Sequence, residues 1–145
     1  CGKWLIADLL KCGVYPSKID VCETSRIYNY GWFQVSNIKL YHDVENCGWR
    51  LFIQNEKAIY ITDTSTVQGI VAKNYNLYMI EANYEENELQ ERIKAKQEAG
   101  VFAYEYRVPK THLSKEECDA WLLDNIGENS EAIYLHQHQE KEELE

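Results

Sequence analysis

Long apolar stretches are missing from this 145-residue chain, whose apolar runs extend to only a few residues. No segment is therefore long enough to cross a membrane as a helix, and none resembles a secretory signal. No internal repeat marks a solenoid, and no long linker marks a second domain. The five cysteines, Cys1, Cys12, Cys22, Cys47 and Cys118, are odd in number and include no Cys-x-x-Cys pair. That pattern argues against a disulfide scaffold or a zinc ribbon. It favours a reduced, cytoplasmic setting in which each thiol is a small buried hydrophobe rather than a nucleophile. Positive charge is also short, with 15 Lys and Arg against 24 Asp and Glu and a net charge of −9. A surface of that sign repels phosphate backbones and argues against nonspecific nucleic-acid binding. It leaves phosphodiester substrates open, because bound divalent ions invert the local field.

What is present suits a packed globular piece. Eighteen aromatic residues argue against disorder. A chain of this length forms one domain at most and can bury about two thirds of its unfolded surface. Residues 1–138 read as that domain and residues 139–145 as a solvated acidic tail, with Leu144-Glu145 suited to a vector-derived scar. The start at Cys1 is expected of a processed or truncated chain.

Residues 3–12 read as a helix with Trp4, Leu5, Leu9 and Cys12 on its apolar side, closed by Gly13. Short strands are expected over 19–22 and 33–40. The segment 77–81 is apolar almost throughout, as a buried strand would be. Over 88–99 only Leu89 and Ile93 form an apolar line, so this is a solvent-facing helix in which Glu88 can pair with Arg92, ended by Gly100. Ser114 and Glu117 fit a capping box, with Cys118, Trp121, Leu122 and Asn125 on one face of the helix that follows and Gly127 at its end. Residues 132–136 close the chain as a strand.

The most informative stretch is Tyr41-His42-Asp43-Val44-Glu45-Asn46-Cys47-Gly48-Trp49-Arg50-Leu51-Phe52-Ile53, followed by Ala58-Ile59-Tyr60-Ile61-Thr62-Asp63-Thr64. Its β-branched and aromatic residues predict a hairpin with the polar turn 54–57. In an antiparallel pair the start of one strand lies beside the end of the next, which places His42 and Asp63 at one edge of the sheet.

With Glu81-Ala-Asn83-Tyr84 after an apolar run, Thr111-His112-Leu113-Ser114 opening a helix and Ile133-Tyr134-Leu135-His136 near the end, these residues resemble the second half of the metallo-β-lactamase fold. The resemblance is to the small bacterial and phage hydrolases of that superfamily. It implies an α/β (α+β) architecture, one half of an αββα sandwich with a mostly antiparallel, mixed sheet flanked by helices. The superfamily's His-x-His-x-Asp-His signature is absent: the four histidines are His42, His112, His136 and His138, and none precedes the hairpin. In relatives that signature is followed by a helix like residues 4–13.

By resemblance, His42 would complete the three-histidine set on a first metal ion, Asp63 would bridge two ions and His136 would bind the second. A bridging role requires a carboxylate, which alone can hold two cations close together. Each residue also has a plainer reading: His42 as a strand-edge histidine, Asp63 as a turn former capping Thr64-Ser65-Thr66. His136 and His138 project to one face of a strand, so periodicity does not choose between them; the resemblance favours His136. His112 resembles the histidine that, in the phosphodiesterase and tRNA-processing branch, supports proton transfer to the leaving group or orients the bridging acid. Its plainer reading is a helix-entry histidine bonded to backbone. Glu81 and Asn83 read either as groups that orient the ligands or as the polar end of a strand.

The implied cofactors are two divalent ions, Zn or Mn, in the intact parent, with phosphodiester or related ester hydrolysis as its activity. With three candidate ligands, each ion receives at most two from this chain, fewer than the three of a catalytic zinc site. The fragment is therefore expected to bind metal weakly and to be inactive. Its implied partner is the missing N-terminal half or a second copy, covering apolar sheet for which Trp32, Phe33, Trp49, Phe52 and Tyr60 are candidates. A non-enzymatic interaction or structural module on a degenerate scaffold of this kind is the alternative.

Overall fold

The computed structural model describes residues 1–137, so His138 and the segment 139–145 lie outside the described residues. Six strands form one mixed sheet in chain order: β1 (Ile27–Asn29), β2 (Gln34–Lys39), β3 (Cys47–Ile53), β4 (Glu56–Ile61), β5 (Leu77–Glu81) and β6 (Glu131–Leu135). The first four are antiparallel neighbours, whereas β4, β5 and β6 run parallel. The α-helices are α1 (Ile6–Lys11), α2 (Glu86–Glu98), α3 (Val108–Thr111) and α4 (Lys115–Asn125), with 3-10 turns at Lys3–Leu5, Pro16–Lys18 and Tyr104–Arg107. No helix among the described residues is long and apolar enough to cross a membrane.

The expected hairpin is present with a tighter turn: Gln54 and Asn55 alone connect the strands, with Gln54 at φ 55°. Gly48 opposes Ile38 in the ladder, and a Cβ there would fall 2.7 Å from the Tyr60 carbonyl oxygen. Only glycine fits that approach.

The sheet packs α4 on one face. Ile59, Ile61, Tyr78 and Ile80, all essentially inaccessible, meet Leu113, Cys118 and Leu122, with Trp121 and Phe52 at the margin. A smaller cluster of Tyr84, Leu89 and Ile93 seats α2 against Val108. Strand alternation sends Val35, Leu51, Ala58 and Leu77, and beside them Trp49, Tyr60, Met79 and Ile133, to the opposite face. None of these eight is buried, and Ile133 is 49% exposed. Of the residues expected on an uncovered face, Trp49 and Tyr60 are there. Phe52 turns instead to the α4 side, and Trp32 and Phe33 lie at the β1–β2 turn.

Two local expectations change. Residues 19–22 form no strand, because the Cys22 N–H donates to the Cys1 carbonyl (2.9 Å) and the Cys22 carbonyl accepts from the Asn37 side chain (2.8 Å). The segment is thus tied to the N-terminus rather than to a ladder. The first helix is split into a 3-10 turn, Lys3–Leu5, and α1, and neither buries a residue; Leu5 and Cys12 are exposed. Gly13 and Gly100 end their helices with positive φ. α4 stops one step before Gly127, at Ile126 in extended conformation.

The long crossover from β4 to β5 is pinned to α4 by one phenol. The Tyr78 hydroxyl accepts from the Tyr75 N–H (2.9 Å) and lies 2.6 and 2.7 Å from the carbonyls of Ala72 and Asn125. Tyr78→Phe takes the acceptor from the Tyr75 N–H and the donor from the Ala72 carbonyl, while the Asn125 carbonyl keeps the Asn74 N–H (2.9 Å). The substitution is expected to cost about 1–3 kcal/mol, read as a lowered urea midpoint. Burial, with a smaller push from the neighbouring Asp119 carboxylate, raises the Cys118 thiol to about 12. Cys22 is also buried, whereas Cys12 is exposed. In a thiol-reagent titration of the native protein Cys12 should react at once, and Cys22 and Cys118 only after denaturant is added.

Candidate metal centre

Because β4, β5 and β6 are parallel, their C-terminal ends meet at one edge of the sheet, where open sheets of this kind bind ligands. Asp63 follows β4, Glu81 is the last residue of β5 and His136 follows β6. His112 joins them from the α3–α4 junction, held there because 83–84 and 113–115 pair as strands do: the Asn83 N–H donates to Leu113 (2.9 Å) and the Lys115 N–H to Tyr84 (2.8 Å). One donor atom from each of Asp63, Glu81, His112 and His136 lies within 4.8 Å of all the others.

The distances centre on Glu81, which is completely buried. Its Oε1 is 2.7 Å from His112 Nδ1 and 3.0 Å from His136 Nδ1, and its Oε2 accepts the Thr64 N–H at 2.9 Å. Asp63 Oδ1 lies 3.1 Å from His136 Nδ1 and 3.9 Å from His112 Nδ1. Among the described residues no lysine or arginine comes within ion-pair distance of either carboxylate. Asp63 and His136 both adopt left-handed backbone, φ 56° and 52°, which costs a non-glycine residue about 1 kcal/mol or more. The surroundings hold them there. Asn46 donates to the Asp63 carbonyl (2.7 Å) and Asn83 to the His136 carbonyl (2.8 Å).

His42 stands next to this group. Its ring meets the His112 ring edge-on, with centroids 5.1 Å apart. Its Nδ1 is 2.8 Å from Asp43 Oδ1, with the Val44 amide at 3.3 Å, and its Nε2 is buried without a partner. The structure thus brings Asp63, His112 and His136 together, with His42 along the same rim. It adds Glu81 as a direct participant, while Asn83 acts on the His136 backbone. Half of the capping box forms: Ser114 Oγ accepts the Glu117 N–H (3.2 Å).

The donor set fits a divalent cation. A tetrahedral ion with bonds of about 2 Å separates its ligand atoms by about 3.4 Å; the four carboxylate–imidazole distances here run from 2.7 to 3.9 Å, and all four donor atoms lie within 4.8 Å of one another. Two imidazole nitrogens and two carboxylates are donors suited to zinc or manganese. A fully buried carboxylate with no lysine or arginine nearby is otherwise a costly thing to fold around.

No family model matches the sequence, and no curated protein matches it. Solved structures do match. The metallo-β-lactamase fold protein YhfI from Bacillus subtilis superposes with a TM-score of 0.66 over 94% of this chain and 50% of its own, at 15% identity. The Zn2+-bound PqqB from Methylobacterium extorquens gives 0.63 over 94% and 52%, at 12% identity. The chain has the metallo-β-lactamase fold. At such identities the likeness is one of architecture, and this metallo-β-lactamase-like chain spans about half the length of the structures it matches.

The strand carrying His136 is anchored by Asp119 on α4, which accepts from Tyr134 Oη (2.5 Å) and Lys115 Nζ (2.6 Å). The Lys115 hydrogen bond, then that of Tyr134, holds the Asp119 carboxyl below its usual range. The contribution is complete above the ordinary carboxylate pKa of about 4 and is lost as pH falls through the depressed folded value. Since the pair is partly exposed, Asp119→Asn should cost under about 1 kcal/mol at neutral pH and nothing in strong acid, as compared by urea unfolding at the two pH values. For the centre itself, saturating zinc or manganese should raise the thermal midpoint, as any ligand selective for the folded state does. Glu81→Gln and Asp63→Asn should each weaken the metal needed for half that rise at least tenfold; an unchanged titration would contradict the assignment.

Proposed function

We propose that this chain is the C-terminal half of a dinuclear metal-dependent hydrolase acting on a phosphodiester or related ester, and that alone it is inactive. The observation that carries this reading is the buried Glu81 carboxylate joined to His112 and His136 beside Asp63. In the reading, Asp63 and His136 hold one ion and Asp63 with His42 contributes to a second. When bound, such ions would lower the pKa of a shared water to give hydroxide near neutral pH and would stabilise charge on the attacked ester. Glu81 accepts from His112 Nδ1 and fixes the ring, so that Nε2 is the atom left to pass a proton to the leaving oxygen. In this reading Glu81 and His112 are bonded to each other and position the site without ligating metal, so neither ion receives three ligands from this chain, which accounts for weak binding and no turnover.

The length relation supports an incomplete domain, since the chain covers about half of YhfI and PqqB. The uncovered sheet face around Trp49, Tyr60, Met79 and Ile133 is where the other half of the sandwich, or a second copy, would pack. The same face supports a second reading, an interaction module whose site is a relic. A cytoplasmic setting accords with five free cysteines.

Elemental analysis for zinc and manganese after dialysis, alongside turnover of a chromogenic phosphodiester, separates these readings. The isolated chain should retain substoichiometric metal and show no turnover above free metal, and a co-expressed segment carrying His-x-His-x-Asp-His should restore both. Stoichiometric metal with turnover by the chain alone would refute the half-enzyme reading, and no metal under any condition would favour the relic. Light scattering should find a dimer or larger species.

A further inference from the structure

We propose that the cleft lined by His42, next to the metal centre, is a phosphate-binding subsite formed by Lys39, Lys110 and Arg107. It deepens the ester-hydrolase reading, on which it rests for the word substrate, by assigning that substrate a second anionic group next to the bond that is cut. The cleft has a volume of about 630 Å³. His42 lines it and its ring also meets His112, so cleft and metal centre share one wall.

Its charge is what singles it out. The chain carries −9 overall, yet three of its 15 Lys and Arg line this one cleft. Two acidic side chains, Asp43 and Glu45, line it as well. Asp43 is taken up, with Oδ2 3.0 Å from Arg107 Nη2 and Oδ1 2.8 Å from His42. Lys39 and Lys110 have no carboxylate within ion-pair distance among the described residues. Lys39 instead lies over the Tyr41 ring, 5.0 Å from its centroid, which holds the ammonium at the cleft wall. Three cations against the two carboxylates leave the concavity net positive, and with Arg107 paired to Asp43 it is the two ammonium groups that attract an oxyanion against the sign of the whole molecule. Phosphate is the group with the charge and the acceptor oxygens to engage them together.

The probe is inorganic phosphate, added to the metal-free chain in EDTA at constant ionic strength and followed by 1H–15N NMR. Saturable shifts confined to residues 39–46 and 107–111 are expected. Lys39→Gln/Lys110→Gln should weaken the affinity at least tenfold, and the single Lys110→Gln, at an exposed position, should weaken it severalfold without altering the thermal midpoint. Lys39→Arg/Lys110→Arg should retain binding, and Lys94→Gln, remote on α2, should leave it unchanged. Shifts scattered over the surface, or an affinity indifferent to Lys39 and Lys110, would overturn the subsite. Because metal is excluded, that failure would leave the metal-centre reading standing, and a failed metal titration would leave this result intact.

Discussion

A carboxylate removed completely from water, with no lysine or arginine beside it, governs the arrangement of this molecule. Ionised groups in an apolar interior cost several kcal/mol unless fully hydrogen-bonded, and Glu81 is satisfied only where three chain segments meet. Thr64 after β4 supplies a backbone N–H, His112 before α4 an imidazole, and His136 after β6 another. Each depends on the parallel alignment of β4, β5 and β6, which sets three carboxyl-terminal strand ends side by side. The left-handed backbone at Asp63 and His136 is a local cost of bending those ends inward.

The two faces of the sheet divide the labour. The α4 face holds the core and, through Tyr78, fastens the crossover that carries the chain from Asp63 to Glu81. The other face is apolar and only partly shielded, the condition of a sheet made to pack against another. The chain superposes over 94% of its length on 50% and 52% of the two longer structures.

The sequence was most readable where local chemistry sufficed. The hairpin, β5, the buried Leu89–Ile93 line of α2 and the Ser114 cap all follow from periodicity and turn residues. His42 and Asp63 were placed at one edge by antiparallel logic alone. From the sequence Glu81 reads only as an orienting group or a polar strand end, because one sequence does not reveal that β4, β5 and β6 are parallel. The usable signal was an acidic residue closing an otherwise apolar buried strand. The resemblance favours His136 over His138; His136 stands one residue beyond β6, 3.0 Å from Glu81, and His138 lies outside the described residues. Residues 19–22 misled because a short apolar run does not reveal whether its backbone partner is a strand or, as with Cys1, a single carbonyl.

The most direct test of the converging rim is anomalous diffraction at the zinc edge from crystals grown with zinc. A peak bounded by Asp63, Glu81, His112 and His136 is the outcome this account requires. Zinc bound elsewhere, with these four side chains facing different regions, would contradict it.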